Sequence, residues 1–341
     1  MFDLRSDTVT SPTPAMRAAM AAAEVGDDVY REDPTVRRLE QRIAELLAKP
    51  AALFVPSGTM ANEIALLCHC QAGDEVIVGA ASHCSDFESG AAAAWARVQF
   101  RVVGCDGLFT AADLEAAVRP AAYYLPRTRL VVVENTHNMS GGRLFPPAEV
   151  ARIVATARAH GLGCHLDGAR LWNAAVAAGC SEAELCAGFD TVTVCFSKGL
   201  GAPVGSALCG DAATIERALR YRKMLGGGMR QAGILAAGAL HALEHHRSRL
   251  VEDHAAARAL GAALGAMTGV RVGTVDSNMV NVDLDVPAMA VVEAARRRGV
   301  LVAATGARRL RLVTHLDITG PRFGEAIAAL VEAVREAQGE R

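Results

Sequence analysis

The chain has 341 residues, 51% of them hydrophobic but only 4% aromatic, and a formal charge of −2 at pH 7. That length suits a main domain with a smaller one beside it. The near-neutral balance and the shortage of aromatic rings argue against nucleic acid or an anionic membrane as a partner.

The N-terminal stretch, residues 1–15, reads as an arm. It carries Ser6, Asp7, Thr8 and Thr10 without helical periodicity, and it lacks the apolar core after a basic start that marks a signal peptide. Val36, Leu39, Ile43, Leu46 and Leu47 then recur at helical spacing. Val55-Pro56-Ser57-Gly58-Thr59 leads into a second helix over about residues 59–70. Short apolar runs at 75–78, 98–103, 130–133, 163–166 and 191–196 read as strands, with helical patterns between several of them, such as 147–160. The alternation predicts an α/β fold, with a mostly parallel sheet flanked by helices in a large domain over residues 16–245. Past residue 245 the pattern changes. Strands near 279–284 and 309–313 predict a smaller C-terminal α+β domain, residues 246–341. No apolar run is long enough to cross a bilayer. Nine cysteines without a Cys-x-x-Cys pair predict reduced core thiols, no metal site and a cytoplasmic setting.

In sheets of this kind, ligands bind beyond the carboxyl ends of the strands. Residues following the strands include Ser82, His83 and Glu88, then Glu134, Asn135 and His137, then Asp167 and Arg170, then Ser197 and Lys198. Polar groups from four segments thus converge on one edge.

Lys198 is one of only three lysines. It stands between an apolar strand and the glycine turn Gly199-Leu200-Gly201, a setting that disfavours the ammonium form and makes an amine available for a Schiff base. A snorkelling structural lysine is the alternative. Ser57-Gly58-Thr59 at a helix start suits an anion, or is an ordinary cap. Asp167 at a strand end could hold a cofactor ring nitrogen protonated, or cap a helix. Arg309 and Arg311 share a strand face, so that either a carboxylate fork or a solvated face fits.

Several longer strings carry a resemblance. Asp3-Leu4-Arg5-Ser6-Asp7-Thr8-Val9-Thr10, Gly26-Asp27-Asp28-Val29-Tyr30, Ser57 to Asn62, Glu134 to Asn138, Asp167-Gly168-Ala169-Arg170, Ser197-Lys198-Gly199-Leu200 and Gly226 to Gln231 closely resemble the low-specificity L-threonine aldolases. These are pyridoxal-5′-phosphate enzymes of the aspartate-aminotransferase fold type. The resemblance implies that Lys198 forms the Schiff base, that Gly58 and Thr59 bind the phosphate, and that Asp167 pairs with the pyridine nitrogen. It implies that Arg230 reaches the phosphate of a neighbouring subunit. His83 would stack on the ring and relay a proton, with Glu88 beside it. Ser6, Arg170 and Arg311 would hold the substrate carboxylate, Arg170 lying also near the ring oxygen. Tyr124 falls where relatives often carry a histidine, and a phenol there is a poor base but can hydrogen-bond the substrate hydroxyl.

The implied reaction is retro-aldol cleavage of L-threonine, L-allo-threonine and similar β-hydroxy-α-amino acids to glycine and an aldehyde. The implied assembly is a homotetramer, a dimer of dimers with shared sites. A serine-hydroxymethyltransferase-like enzyme, a β-eliminating lyase or an aminotransferase on the same scaffold is the alternative.

Overall fold

The computed structural model describes residues 1–339. The chain opens with a two-residue strand, β1 (Phe2–Asp3). The strands of the main sheet follow as β2 (Ala51–Val55), β3 (Glu75–Gly79), β4 (Gln99–Val103), β5 (Thr128–Glu134), β6 (Gly163–Gly168), β7 (Thr191–Cys195) and β8 (Ser206–Gly210). They form one seven-stranded sheet in the order β2-β8-β7-β6-β5-β3-β4. Only β8 is antiparallel, to both of its neighbours. Strands β5 to β8 are buried almost throughout, which is why Leu130-Val131-Val132-Val133 and Thr191 to Cys195 read as continuous runs rather than alternating ones.

Five of the seven strands coincide with the apolar runs of the sequence. β2 and β8 do not stand out in it, because Ala-Ala-Leu-Phe-Val and Ser-Ala-Leu-Cys-Gly carry little β-branched signal. Their presence matters for the site. The chain does not leave β7 for a helix; it turns directly back into β8. The turn is closed by Gly201 N donating to Lys198 O at 2.8 Å and Phe196 N donating to Gly205 O at 3.0 Å. Gly201 has φ +76, the left-handed region that favours glycine, and a Cβ there would also lie 2.7 Å from Leu316 Cδ2, the movable end of a side chain.

A second, antiparallel sheet has the order β12-β13-β10-β9, with β9 (Val270–Val272), β10 (Met279–Leu284), β12 (Ala303–Gly306) and β13 (Arg309–Val313). β1 pairs in parallel with β11 (Val300–Leu301), so the start of the arm is stitched to the C-terminal part of the chain. Leu4 belongs to the hydrophobic core of that part, with Leu260, Val282, Leu310 and Leu330. A larger core, from Met16 to Leu250, lies on the main sheet. One core gives way to the other within the helix Leu250–Gly265: Leu250 packs in the first, and Ala257, Leu260 and Leu264 in the second. Among the described residues no helix is long and apolar enough to cross a membrane. All nine cysteines are free.

Candidate active site

The three lysines separate cleanly. Lys49 donates to the carbonyl of Phe189 at 2.6 Å, and Lys223 is exposed near a helix end. Lys198 is half-buried and opens onto a cavity of about 280 Å³ at the carboxyl edge of the main sheet. The same cavity is lined by Ser57, Gly58, Thr59, Asn62, His83 and Asp167. The arm reaches it from outside the sheet, where the Thr10 hydroxyl donates to Lys198 O at 3.2 Å.

One end of the cavity is the start of the helix Gly58–His69. Ser57 caps it, its hydroxyl accepting from Met60 N at 3.2 Å. The cap uses Met60, leaving the first-turn amides of Gly58 and Thr59 outside the helical ladder, as an anion site needs. Gly58 must be glycine for packing: a Cβ would lie 2.8 Å from Cys195 Sγ. At the other end Asp167, 2% exposed, accepts from Ala169 N at 3.1 Å and from Asn62 Nδ2 at 2.8 Å. The helix after β6 begins at Leu171 with Arg170 at its cap position, so Asp167 is a turn acceptor rather than a helix cap.

Acidic and basic groups cluster beside Asp167. His83 Nδ1 lies 2.8 Å from Glu88 Oε1, and His83 N donates to Glu134 Oε2 at 2.7 Å. One donor or acceptor atom from each of His83, Glu88 and Asp167 falls within 4.8 Å of the others. The hydrogen bond to Glu88 raises the His83 pKa, with help from the Asp167 charge and against burial and Lys198. Burial raises the Glu88 pKa, and the bonds from His83 and Asn62 pull it back only in part.

Asn62 links this cluster to a buried chain. Its Nδ2 donates to Glu88 Oε1 at 3.0 Å as well as to Asp167. Carboxylates only accept, so the amide orientation is fixed and Asn62 Oδ1 must accept in turn. Its partner is His165 Nε2 at 3.3 Å. Burial pushes the His165 and His69 pKa values down to about 4, so both rings are neutral at pH 7. With Nε2 protonated, His165 Nδ1 accepts from the Thr191 hydroxyl at 2.8 Å. The Thr191 oxygen then accepts from His69 Nε2 at 2.9 Å. Every proton in the chain from His69 to the two carboxylates has one allowed position.

A second node lies at the arm. Arg170 donates through Nε and Nη2 to Asp7 at 2.8 and 2.6 Å, and through Nη1 to Asn138 Oδ1 at 3.2 Å. Asn138 Oδ1 also accepts from Arg311 Nη1 at 3.0 Å. Burial lowers the Arg311 pKa, and the neighbouring Arg170 charge adds to this. Arg311 Nε is buried without a partner among the described residues. Asp7 neutralises Arg170, so the node keeps one surplus positive charge, on Arg311. Arg309 faces outward and pairs with Asp283 at 2.7 Å.

The structure thus brings Lys198, Asp167, His83, Gly58 and Thr59 to one cavity, with Glu88 directly behind His83. Arg170 and Arg311 meet at Asn138, outside the cavity lining. Ser6 is half-buried one residue before Asp7, and its hydroxyl accepts from Thr8 N and Thr8 Oγ1. Two residues lie elsewhere in the single chain. Tyr124 is 73% exposed on the loop before β5, against Tyr123. The side chain of Arg230 is 73% exposed and pairs with Asp27 at 3.0 Å. Sequence reasoning missed Asn62, Asp7, Asn138 and His165 as participants. Asn62 had a signal: it stands one helical turn after Thr59 and so shares its face.

The family described as beta-eliminating lyases matches residues 3–287. Over 331 residues the chain is 44% identical to the low specificity L-threonine aldolase of Escherichia coli strain K12, covering 96% of this chain and 98% of that protein. It is 44% identical over 328 residues to low-specificity L-threonine aldolase 1 of Arabidopsis thaliana, covering 93% and 92%. Among solved structures, the threonine aldolase of Leishmania major superposes with a TM-score of 0.83 at 23% identity, covering 99% of this chain and 100% of that one. At that identity the likeness speaks for the fold alone, a large parallel sheet with a small antiparallel one. The full-length identity to the two named relatives, together with the family match, establishes that this chain belongs to the low-specificity L-threonine aldolases within the beta-eliminating lyase family.

Proposed function

We propose that the chain cleaves L-threonine, L-allo-threonine and related β-hydroxy-α-amino acids to glycine and an aldehyde, with pyridoxal 5′-phosphate held at Lys198. The observation that carries this reading is that Lys198, Asp167 and His83 line one cavity whose far end is a capped helix N-terminus. That donor set fits the cofactor: an amine for its aldehyde, a buried carboxylate for its ring nitrogen, and free amides for its phosphate. When bound, the cofactor would take up the electron pair of the breaking Cα–Cβ bond.

The protein's own groups divide the remaining work. Gly58 and Thr59 would hold the phosphate through backbone amides and the Thr59 hydroxyl. Asp167, kept in place by Asn62 and Ala169 N, would accept a hydrogen bond from the ring nitrogen and keep its proton there. His83, lining the same cavity, would lie beside the ring. Its Nδ1–H is committed to Glu88, so Nε2 is the atom that takes the β-hydroxyl proton. Arg311, the surplus charge at the Asn138 node, binds the substrate carboxylate, with Ser6 as a second donor. Arg170 has Nε and one face of its fork committed to Asp7, so it lends charge and position with its remaining Nη hydrogens.

A homo-oligomer, a tetramer built from two dimers, follows from the same reading. Among the described residues no arginine lines this cavity, whereas the Arg230 side chain is exposed and pairs only with Asp27. A cation would strengthen the phosphate site, and Arg230 of a neighbouring subunit would supply it. Tyr124, exposed on its loop, would hydrogen-bond a substrate hydroxyl in the cavity of a neighbouring subunit.

The test is a product assay on the four stereoisomers of threonine, with neither keto acid nor tetrahydrofolate added. Glycine and acetaldehyde in equal amounts from the L-isomers are expected. Release of 2-oxobutyrate and ammonia without aldehyde would overturn the reading in favour of elimination.

A further inference from the structure

The residue after Asn62 is acidic and buried. Glu63 is 2% exposed, on the same face of its helix as Thr59 and Leu66. That face packs on the segment holding Cys84, Ala92 and Ala96. With every carboxyl group counted as ionised, both oxygens of Glu63 and Oε2 of Glu88 are buried without a hydrogen-bond donor among the described residues. Yet the two carboxyl groups lie within hydrogen-bonding reach of each other. Two ionised carboxylates cannot share such a place, whereas one proton between them pairs an oxygen of Glu63 with Oε2 of Glu88 and leaves a single charge.

We propose that Glu63 is a positioning residue: it keeps its proton at neutral pH, donates it to Glu88 Oε2, and so sets how tightly Glu88 holds the proton on His83. The contacts decide which partner is ionised. Glu88 Oε1 already receives two donors, from Asn62 and His83, which favour its charged form. Glu63 has no such donor. Burial, with the Glu88 charge beside it, accordingly pushes the Glu63 pKa up to about 8. The result is a relay of three groups, Glu63–Glu88–His83, reaching from the helix interior to the cavity.

Glu63 is faced by the Glu88 carboxyl and the Cys84 thiol. Glu88 is faced by His83, Asn62, Asp167, Glu63 and Cys84, and burial raises the Cys84 thiol so far that it stays neutral. The His83 ring is faced by Glu88, Asp167 and Lys198, and its backbone N by the Glu134 carboxylate. A donor on Glu88 Oε2 disperses the carboxylate charge. Without it, Glu88 is the stronger acceptor and the His83–Glu88 pair binds its proton more tightly.

The proposal rests on His83 facing the cofactor, but its test does not need turnover. The imidazole Cε1–H signal of His83, assigned by its loss in His83→Asn, is titrated in the full-length protein with and without the cofactor. The acid limb of kcat/KM is measured alongside. Glu63→Leu is expected to raise both midpoints by about one pH unit, tenfold in proton affinity. Glu63→Gln, whose amide can donate in place of the acid, should stay within about 0.3 unit of wild type. Wild type should show a further inflection of the imidazole signal near pH 8, where Glu63 ionises, and Glu63→Gln should lack it. Unmoved midpoints in Glu63→Leu, or a Glu63→Gln shift as large, would overturn the proposal. Persistence of the alkaline inflection in Glu63→Gln would also do so, and this arm stands even if Glu63→Leu does not fold. A shifted imidazole titration with an unshifted kcat/KM would leave Glu63 in its role and remove His83 from the chemistry, so the two readings fail separately.

Discussion

The guanidinium of Arg170 closes on the carboxylate of Asp7 with two hydrogen bonds, at 2.8 and 2.6 Å, across 163 residues of sequence. Both side chains are buried. This pair fastens the N-terminal arm over the edge of the main sheet and brings Ser6 and Thr10 with it. Burial alone would raise the Asp7 pKa, but the Arg170 charge and hydrogen bonds outweigh it and hold the carboxyl at about 2. The folded value lies below the ordinary one, so the stabilisation is present above about pH 4 and is lost as pH falls through about 2. Asp7→Asn should cost roughly 3–5 kcal/mol at pH 7, because it leaves Arg170 buried and unpaired. It should also flatten the acid side of the stability profile. Thermal unfolding of wild type and variant from pH 7 to pH 2 checks both.

Asn62 holds Asp167 and Glu88 through one amide nitrogen. Asn62→Leu removes a donor from each carboxylate and strands His165 Nε2–H. Loss of a bond to a charged group costs about 1.5–3 kcal/mol. We expect the cofactor to bind at least tenfold more weakly, read from quenching of protein fluorescence during its titration. An unchanged affinity would mean that Ala169 N suffices to fix Asp167.

Lys198 and His83 are separable by experiment. Borohydride reduction followed by peptide mapping should place the cofactor on Lys198, and label on Lys49 or Lys223 would sink that assignment. His83→Asn should leave this labelling intact while lowering kcat by about 10²–10⁴-fold. The Glu88 bond raises the His83 pKa, so the neutral, proton-accepting ring is lost at a higher pH than for a free imidazole. The acid limb of kcat/KM should therefore lie above pH ~6.5.

Arg311→Leu should raise the KM for threonine by about 10–100-fold, the worth of a lost charge-assisted bond to the carboxylate. The absorbance of the bound cofactor should stay nearly as it is. Arg309→Leu, which breaks only the exposed pair with Asp283, should leave KM within about twofold. Equal effects of the two would remove Arg311 from carboxylate binding.

Glu63 carries a further consequence for stability. Its folded pKa, about 8, lies above the unfolded one, so the folded state holds a proton that the unfolded chain releases. The cost is absent below about pH 4 and grows as pH rises toward 8. Glu63→Gln should raise the melting temperature by roughly 3–5 °C at pH 8 and change it little at pH 4. Differential scanning calorimetry at the two pH values decides it.

Much of the site was legible because it obeys local rules. Lys198 and Asp167 stand where continuous apolar runs end, and strand ends point into the ligand crevice whatever the distant chain does. Ser57-Gly58-Thr59 marks a helix start by its own composition. The small sheet was equally readable at β10 and β13, where burial alternates along the strand. β2 and β8 were not, since their residues are strands only by virtue of the neighbours that bury them.

By itself the sequence determined five of the seven main-sheet strands, the residues presented at the carboxyl edge, and the amine that stands apart from the two other lysines, because periodicity and strand ends are properties of short segments. Tertiary structure alone decided that Arg170 belongs to Asp7, that Asn62 serves two carboxylates, and that Glu63 meets Glu88 rather than water. Those choices arise from burial. An acidic residue on a helix face looks like a solvated one until a second segment covers it, and only then does the loss of water force it to find a partner or keep its proton.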